Sequence, residues 1–356
     1  METINVNLGE RSYPIHIGAG LLDRAGELIR ECIGACSAAI VTDDNVAPLY
    51  LARVEASLDA AGIRHASVVL PAGEKTKCID CLTQLYAFLS ESRITRSDIV
   101  IALGGGVIGD LAGLAAATWL RGVRFVQLPT TLLAQVDSSV GGKVAVDLPQ
   151  GKNLVGAFWQ PSLVAVDPDT LNTLTPSCWR DDLGEVVKYG CIGDEALFAL
   201  LESAAPGGRD GVMAHVGEIL RRCIGAKAEI VAQDERDTGL RMTLNFGHTI
   251  AHAVETVQQY EGLRHGEAVA VGMAVITRMS EQRGLTAPGT FDRLTALEEA
   301  LGLPHQLPDV PHAQLLDAMR SDKKSSGDRL TVVLLKDVGS CCLHRTTAGD
   351  FMRFCD

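Results

Sequence analysis

Three segments of the second half of this chain carry residues suited to hold a metal ion: Glu185 in GEVVKYG, His248 and His252 in LNFGHTIAHAVE, and His265 in RHGEAV. His248 and His252 stand four positions apart, which puts both imidazoles on one face of a helix. Two histidines and one carboxylate leave an open position on a zinc-type ion, as a catalytic site requires. Residue types alone do not choose which histidines serve. A single histidine is more often structural or solvated than a ligand.

A second chemistry is written in Gly104-Gly105-Gly106-Val107-Ile108-Gly109, a GxGxxG run that follows a strand pattern and opens a helical one. Glycines there let backbone N–H groups approach a pyrophosphate at the positive end of a helix. A glycine-rich structural turn is the competing reading. The next strand pattern ends in Leu128-Pro129-Thr130-Thr131, with no acid to hold a ribose hydroxyl. The acidic strand end Asp43-Asp44-Asn45 lies upstream instead. A dinucleotide bound here must have its ribose read from a different strand, unlike a standard Rossmann dehydrogenase.

Cations gather near the same motifs: Lys143 in SSVGGK, Lys152 in GKN, Lys188, Lys227, Arg241 and the pair Lys323-Lys324. Each alone reads as a solvated charge. Set beside glycine turns and polar dipeptides, they point together to a doubly anionic small substrate. The net charge of −12 argues against a nucleic-acid partner, but a pocket within an acidic protein can still be basic.

The elements that must position these groups change character along the 356 residues. AAIVTDDN, HASVVLP, DIVIALGGG, RFVQLPTT and SLVAVDP read as strands, alternating with helical patterns over residues 52–62 and 110–119. Such alternation predicts a mostly parallel sheet with helices on both faces. From about Leu174 the patterns are helical, and only RLTVVLLKDVG reads as strand. An α/β domain followed by a mainly α-helical one is expected, with a site in the cleft between them.

METINVNLGERSYPI has neither the basic start nor the apolar core of a secretory signal. The most apolar stretch, residues 101–120, is interrupted by glycines and Asp110, which is costly in a bilayer. No membrane association is expected, and a cytoplasmic enzyme is the default. The ten cysteines read as reduced core thiols. Cys78 and Cys81 form a CxxC on an expected helix, without the second pair that a metal site would need.

GGGVIGDLAG, LRGVRFVQLPTTLLAQVDSSVGGK, GKNLVGAFWQP, GEVVKYG, DERDTGLRMTLNFGHT, HGEAVAVGM and SDKK follow one another in an order that resembles 3-dehydroquinate synthase, a sugar phosphate cyclase. The resemblance implies an α/β + α architecture. A Rossmann-like nucleotide-binding domain would span residues 1–173, and a mainly helical metal- and substrate-binding domain residues 174–356. It implies an NAD- and metal-dependent lyase, with zinc or cobalt, that converts 3-deoxy-D-arabino-heptulosonate 7-phosphate to 3-dehydroquinate and phosphate. The steps would be transient oxidation by NAD, phosphate elimination, re-reduction, ring opening and aldol closure. NAD would be regenerated at each turnover. A homodimer is also implied.

Carried over by the resemblance, the metal ligands would be Glu185, His248 and His265, leaving His252 as an acid/base group facing the substrate. NAD would meet Asp43, Asn45, Glu74, Lys77, Gly105, Gly106, Val107, Ile108, Gly109, Asp110, Thr130, Thr131, Lys143, Lys152, Thr170 and Thr173. Arg121, Asn153, Lys227 and Lys323 would bind substrate. Lys143, Lys188, Asn245, His252, Arg241 and Asp137 would act in catalysis.

Four positions depart from the family pattern. Gly184 stands where Ala is usual, Ala251 where Gly is usual, Asp237 where Glu is usual, and Asp147 where Asn or another polar residue is common. Two other activities compete: a sister cyclase acting on a different sugar phosphate, and a metal-dependent alcohol or glycerol dehydrogenase, which would release NADH.

Overall fold

Every residue of the strand Ile99–Gly104, IVIALG, is buried. A strand with no exposed face belongs inside a sheet that is covered on both sides. The computed structural model, which describes residues 1–321 and 329–352, puts it there. In chain order the strands are β1 (Glu2–Val6), β2 (Tyr13–Ile17), β3 (Ala38–Asp43), β4 (His65–Leu70), β5 (Ile99–Gly104) and β6 (Arg124–Pro129), then β7 (Lys143–Leu148), β8 (Gly151–Phe158), β9 (Leu163–Val166), β10 (Arg329–Asp337) and β11 (Ser340–Thr347). Seven of them form one sheet in the order β1-β2-β9-β6-β5-β3-β4. All its pairings are parallel except β1 with β2.

Alternation along the strands sorts the core into two layers. Ile40, Ile99, Ile101, Val126 and Leu128 pack with the helices α1 (Ala25–Cys32) and α2 (Ala52–Ala60). Val41, Val100, Ala102 and Phe125 belong to the opposite layer, with α3 (Ile79–Glu91) and α4 (Gly106–Thr118). The order β4-β3-β5-β6-β9 is a doubly wound 2-1-3-4-5 arrangement. In it the chain leaves β3 toward β4 and then returns to the other side of β3 as β5. The crevice of such a sheet opens where this reversal occurs, beyond the carboxyl ends of β3 and β5. Asp43 ends β3 and Gly104 ends β5, so the acidic strand end and the glycine run meet at one place. The strand that ends in Asp43 is the immediate neighbour of the glycine strand.

The chain forms two compact units, Met1–Leu174 with Lys227–Glu235, and Thr175–Ala226 with Arg236–Asp356. The second unit is built on α5 (Pro176–Gly193), α6 (Glu195–Ala204), α7 (Gly208–Met213), α8 (Val216–Gln233), α9 (His248–Val257), α10 (His265–Gln282), α11 (Thr290–Ala300), α12 (His312–Ser321) and α13 (Ala348–Met352), with α8 running from it into the segment that counts with the first. Residues 268–277 of α10 are all buried, so this helix is apolar all round, as a central helix must be. Among the described residues no helix is long and apolar enough to cross a membrane.

Several elements differ from the sequence expectation. α4 starts at Gly106 rather than at Asp110, because tertiary packing overrides the poor helix propensity of glycine. The α9 helix starts only at His248, after a 3-10 turn over Leu240–Asn245 and a left-handed Gly247. β10 is not alone: β11 pairs with it antiparallel across a turn at Gly339, whose φ is +80°. The β11 sequence, SCCLHRTT, mixes polar and charged residues on a largely half-exposed strand, so no alternation announces it. The β7–β8 hairpin escapes for a similar reason, since its second strand is exposed at Asn153, Leu154, Val155 and Gly156. The cysteines are not all core thiols: Cys191 and Cys223 are buried, Cys32 is exposed, and Cys78 and Cys81 are half-buried.

Candidate metal centre and nucleotide loop

Three helices of the second unit bring the metal-type residues together. Glu185 lies in the middle of α5, and His248 and His265 each begin a helix, α9 and α10. The carboxylate oxygen Oε1 of Glu185 is 3.3 Å from His248 Nε2 and 3.6 Å from His265 Nε2. One ligand atom from each of the three lies within 4.8 Å of the others. The other oxygen of Glu185, Oε2, is paired with Lys188, one turn further along α5 and buried like Glu185. The glutamate thus divides its oxygens between a cation of the protein and the histidine cluster.

The remaining ring nitrogens bear on the tautomers. His248 Nδ1 lies 3.1 Å from the carbonyl oxygen of Phe246, which can only accept, so a neutral ring with its proton on Nδ1 would leave Nε2 as the ligating nitrogen. Burial, opposed by Glu185, holds the His248 imidazole below its usual pKa and so in the neutral form that ligates. His265 Nδ1 faces the buried carboxylate of Glu255 at 3.4 Å. Carboxylate or carbonyl partners on the far nitrogen are the usual way a metal-bound imidazole is oriented. These donors fit a zinc-type ion. His252, Glu255 and His265 form a second trio of possible ligands, and the His252 ring lies 5.6 Å from that of His248.

Sequence reasoning missed Glu255. It falls on the same face of α9 as His248 and His252, at the third position after His252, and this helical spacing was the signal that could have found it.

Backbones approach closely around this centre. A methyl group at Gly184 would lie 2.2 Å from the carbonyl oxygen of Gly266, and one at Gly266 would lie 1.9 Å from that of Asp181. α5 and α10 therefore touch main chain to main chain beside Glu185 and His265. The Gly184 departure has its physical reason here, since alanine would not fit this spacing. Asp237 has one too. Its φ is +60°, a left-handed conformation that aspartate tolerates better than glutamate. Asp147 accepts a hydrogen bond from the Asn153 N–H at 2.7 Å. Ala251 is fully buried, and nothing in the structure explains its replacement of glycine.

The glycine-loop residues form a separate cluster in the first unit. Lys77 is buried, pairs with Asp110 at 2.5 Å and donates to Asn153 Oδ1 at 2.6 Å. Burial opposes its charge, but Asp110 and Glu74 outweigh that and hold the ammonium above its usual pKa. Lys152 stands 3.5 Å from Glu74. Lys227 donates to the Asp137 carbonyl at 2.6 Å and pairs with its carboxylate at 3.0 Å. Asp43 accepts from the N–H groups of Asn45 and Val46, while burial pushes its carboxyl pKa up. A Cβ on Gly105 or Gly106 would lie 3.1 Å from the side chain of Thr131 or Ser138 respectively, so that those side chains would have to give by a few tenths of an ångström.

Other residues named from the sequence are spread more widely. Thr170 and Thr173 use their hydroxyls within the fold, bonding Gln135 and Tyr50 respectively. Arg241 is buried, whereas Lys143 and Asn245 are exposed. Arg121 is exposed, and its side chain has no hydrogen bond or ion pair among the described residues. Leu120, Arg121 and Gly122 have φ of 50°, 68° and 119°, three consecutive left-handed residues. Such conformations persist only where the surrounding structure over-determines them. Lys323 lies outside the described residues.

Comparison with known proteins agrees in both units. The model of the 3-dehydroquinate synthase N-terminal family matches residues 67–181, and that of the C-terminal family residues 182–325. The 3-dehydroquinate synthase of Clostridium kluyveri is 43% identical over 341 residues, covering 96% of this chain and 94% of that one. Among solved structures, a 2-epi-5-epi-valiolone synthase from Streptomyces hygroscopicus with NAD+ and Zn2+ bound is 27% identical. It superposes with a TM-score of 0.88, covering 98% of this chain and 97% of that one. A 2-deoxy-scyllo-inosose synthase complexed with carbaglucose-6-phosphate, NAD+ and Co2+ shares the fold, with a TM-score of 0.88 at 23% identity over 99% of this chain and 98% of that one.

Proposed function

This chain belongs to the 3-dehydroquinate synthase family, and from that premise we propose how its residues divide the work. Its reaction is the conversion of 3-deoxy-D-arabino-heptulosonate 7-phosphate to 3-dehydroquinate and phosphate in the shikimate pathway, with NAD and a divalent metal, zinc or cobalt. The bound groups supply a reversible hydride acceptor and a Lewis acid.

Glu185, His248 and His265 would hold the metal, and the carrying observation is that one ligand atom from each lies within 4.8 Å of the others. Lys188 keeps Oε2 of Glu185 engaged, which leaves Oε1 facing the histidines. Glu255 orients His265. His252, beside the ligands but turned to Glu255 and His265 in the second trio, moves a substrate proton.

In the first unit, Asp43 and Asn45 read the ribose, while Gly105, Gly106, Val107, Ile108 and Gly109 bring backbone N–H groups to the pyrophosphate. Glu74, Lys77, Asp110, Thr130, Thr131, Lys152, Thr170 and Thr173 complete or support this site. The Lys77–Asn153 bond couples a cofactor residue to a substrate residue. Lys143, Asp137, Lys227, Arg241 and Asn245 bind and orient the anionic substrate, as does Lys323 outside the described residues. The reading extends to a cytoplasmic homodimer in which the exposed Arg121 serves the substrate phosphate of a neighbouring subunit.

Hydride leaves and returns to the same bound substrate, so turnover proceeds without net redox change. With heptulosonate phosphate, a divalent metal and NAD below the substrate concentration, phosphate and dehydroquinate should appear in equal amounts while absorbance of NADH stays flat. A steady rise of NADH would establish the dehydrogenase reading. Phosphate release with a different carbocycle would establish a sister cyclase.

A further inference from the structure

Cys78 and Cys81 occupy the N-cap and third positions of α3, the two places whose side chains meet in a capping box. The Cys78 sulfur caps no backbone N–H. The two side chains stand one helical turn apart at the start of α3, and both are half-buried. A pair three residues apart at a helix start can be bridged by a disulfide when the backbone adjusts locally to the spacing the bond requires.

The surroundings connect this pair to the nucleotide loop. Cys78 forms an isolated parallel bridge with Asp147, whose N–H donates to the Lys77 carbonyl at 2.8 Å. Asp147 also accepts from the Asn153 N–H, and the Lys77 ammonium holds Asn153 and Asp110. The backbone next to the thiols therefore carries the lysine that is paired with Asp110 of α4.

We propose that Cys78 and Cys81 are a redox modification site, a dithiol that closes to a disulfide and in doing so weakens NAD binding through Lys77. The effect on NAD rests on the reading of the glycine loop given above; the formation of the disulfide does not. The Cys78 sulfur attacks a low-molecular-weight disulfide, breaking its S–S bond and releasing one thiol. The Cys81 sulfur then attacks Cys78 in the mixed disulfide and releases the second. Two thiol hydrogens and two electrons pass to the small disulfide, which is reduced to two thiols. Burial, followed by the neighbouring Cys78 thiol, pushes the Cys81 thiol pKa up to about 11, so Cys81 keeps its proton and is the second to react. Closing the sulfurs to the covalent distance of about 2 Å draws the Cys78 backbone toward the helix and Lys77 with it.

The test equilibrates the full-length protein with glutathione disulfide and glutathione at several ratios, followed by alkylation, tryptic digestion and mass analysis. Cleavage after Lys77 and Arg93 gives a peptide, CIDCLTQLYAFLSESR, that contains these two cysteines and no other. The expected result is a peptide lighter by two hydrogens and closed to alkylation, reversed by dithiothreitol. NAD affinity, measured by fluorescence titration, should fall about tenfold in the oxidised protein, as misplacing a binding group by about an ångström can do. Cys78→Ser and Cys81→Ser should bind NAD normally and be indifferent to the treatment. Peptides carrying only glutathione adducts, or a closed peptide with unchanged NAD affinity, would overturn the proposal. Reduced protein that binds no NAD would instead refute the reading of the loop, while the mass result still decides whether the dithiol closes.

Discussion

Replacing His248 by alanine should leave a folded protein with no bound metal and no measurable turnover. His248 is one of three protein ligands in the proposed site. If a site worth about 10–16 kcal/mol divides evenly, each ligand carries on the order of 4 kcal/mol, or about a thousandfold in affinity. His252→Ala should behave differently. It should keep near-normal metal content while kcat falls by about 10²–10⁴, because a proton-transfer group is lost and no ligand bond is. Glu255→Gln should fall between them, retaining the ion but with an affinity weaker by about 10–100-fold, since it removes only the anchor of His265. Metal analysis of the three purified variants, with circular dichroism to establish folding, separates these outcomes. A metal-free His252 variant beside a metal-loaded His248 variant would move the ion to the trio of His252, Glu255 and His265, which is also within reach of one atom.

Arg121→Ala should lower kcat/KM by about 10²–10³, the usual cost of removing one member of a hydrogen-bonded charge pair. Arg121→Lys should recover little, because an ammonium cannot reproduce the paired hydrogen bonds of a guanidinium to phosphate. The exposure of Arg121 within its own chain makes a stronger test possible. Subunits of Arg121→Ala mixed with subunits of Glu185→Gln would form heterodimers in which one site has both an intact metal ligand and an arginine from its neighbour. Random exchange makes half the dimers mixed, and half their sites whole. Activity should therefore rise to about a quarter of the wild-type value in a two-fold symmetric dimer. Exchange shown by mass tagging, with no activity regained, would mean that each Arg121 acts in its own chain.

Much of the first unit was legible because its physics is local. A strand buried on both faces must be a continuous apolar run, and IVIALG and AAIVTD are such runs. What could not be read was their adjacency. Asp43 and Gly104 are separated by α2, β4 and α3 in the chain and become neighbours only through the strand order. The metal centre was less legible still. Glu185, His248 and His265 come from three helices, and no periodicity links them; family resemblance named them, and packing explains how they meet. Polar or exposed strands such as Ser340–Thr347 and Gly151–Phe158 escaped because they have no buried face to impose alternation. Glu255 was overlooked although its spacing was visible, because attention rested on the histidines.

The glycine contact between α5 and α10 has a consequence for anyone seeking to make this protein withstand heat. Helical glycines are the first residues such a programme replaces, since alanine is worth up to about 1 kcal/mol in a helix interior. Gly184 and Gly266 look like two easy gains. Here the added methyl groups would meet carbonyl oxygens at 2.2 and 1.9 Å, and the separation they force would fall between Glu185 and His265. Gly184→Ala and Gly266→Ala should each lower the melting temperature, at about 1–3 kcal/mol for overpacking, and weaken metal binding in parallel. A higher melting temperature with unchanged metal affinity would show that α10 can give way. Otherwise the heat resistance of this unit has to be raised away from its glycines, because the spacing that looks like slack is the bite of the chelate.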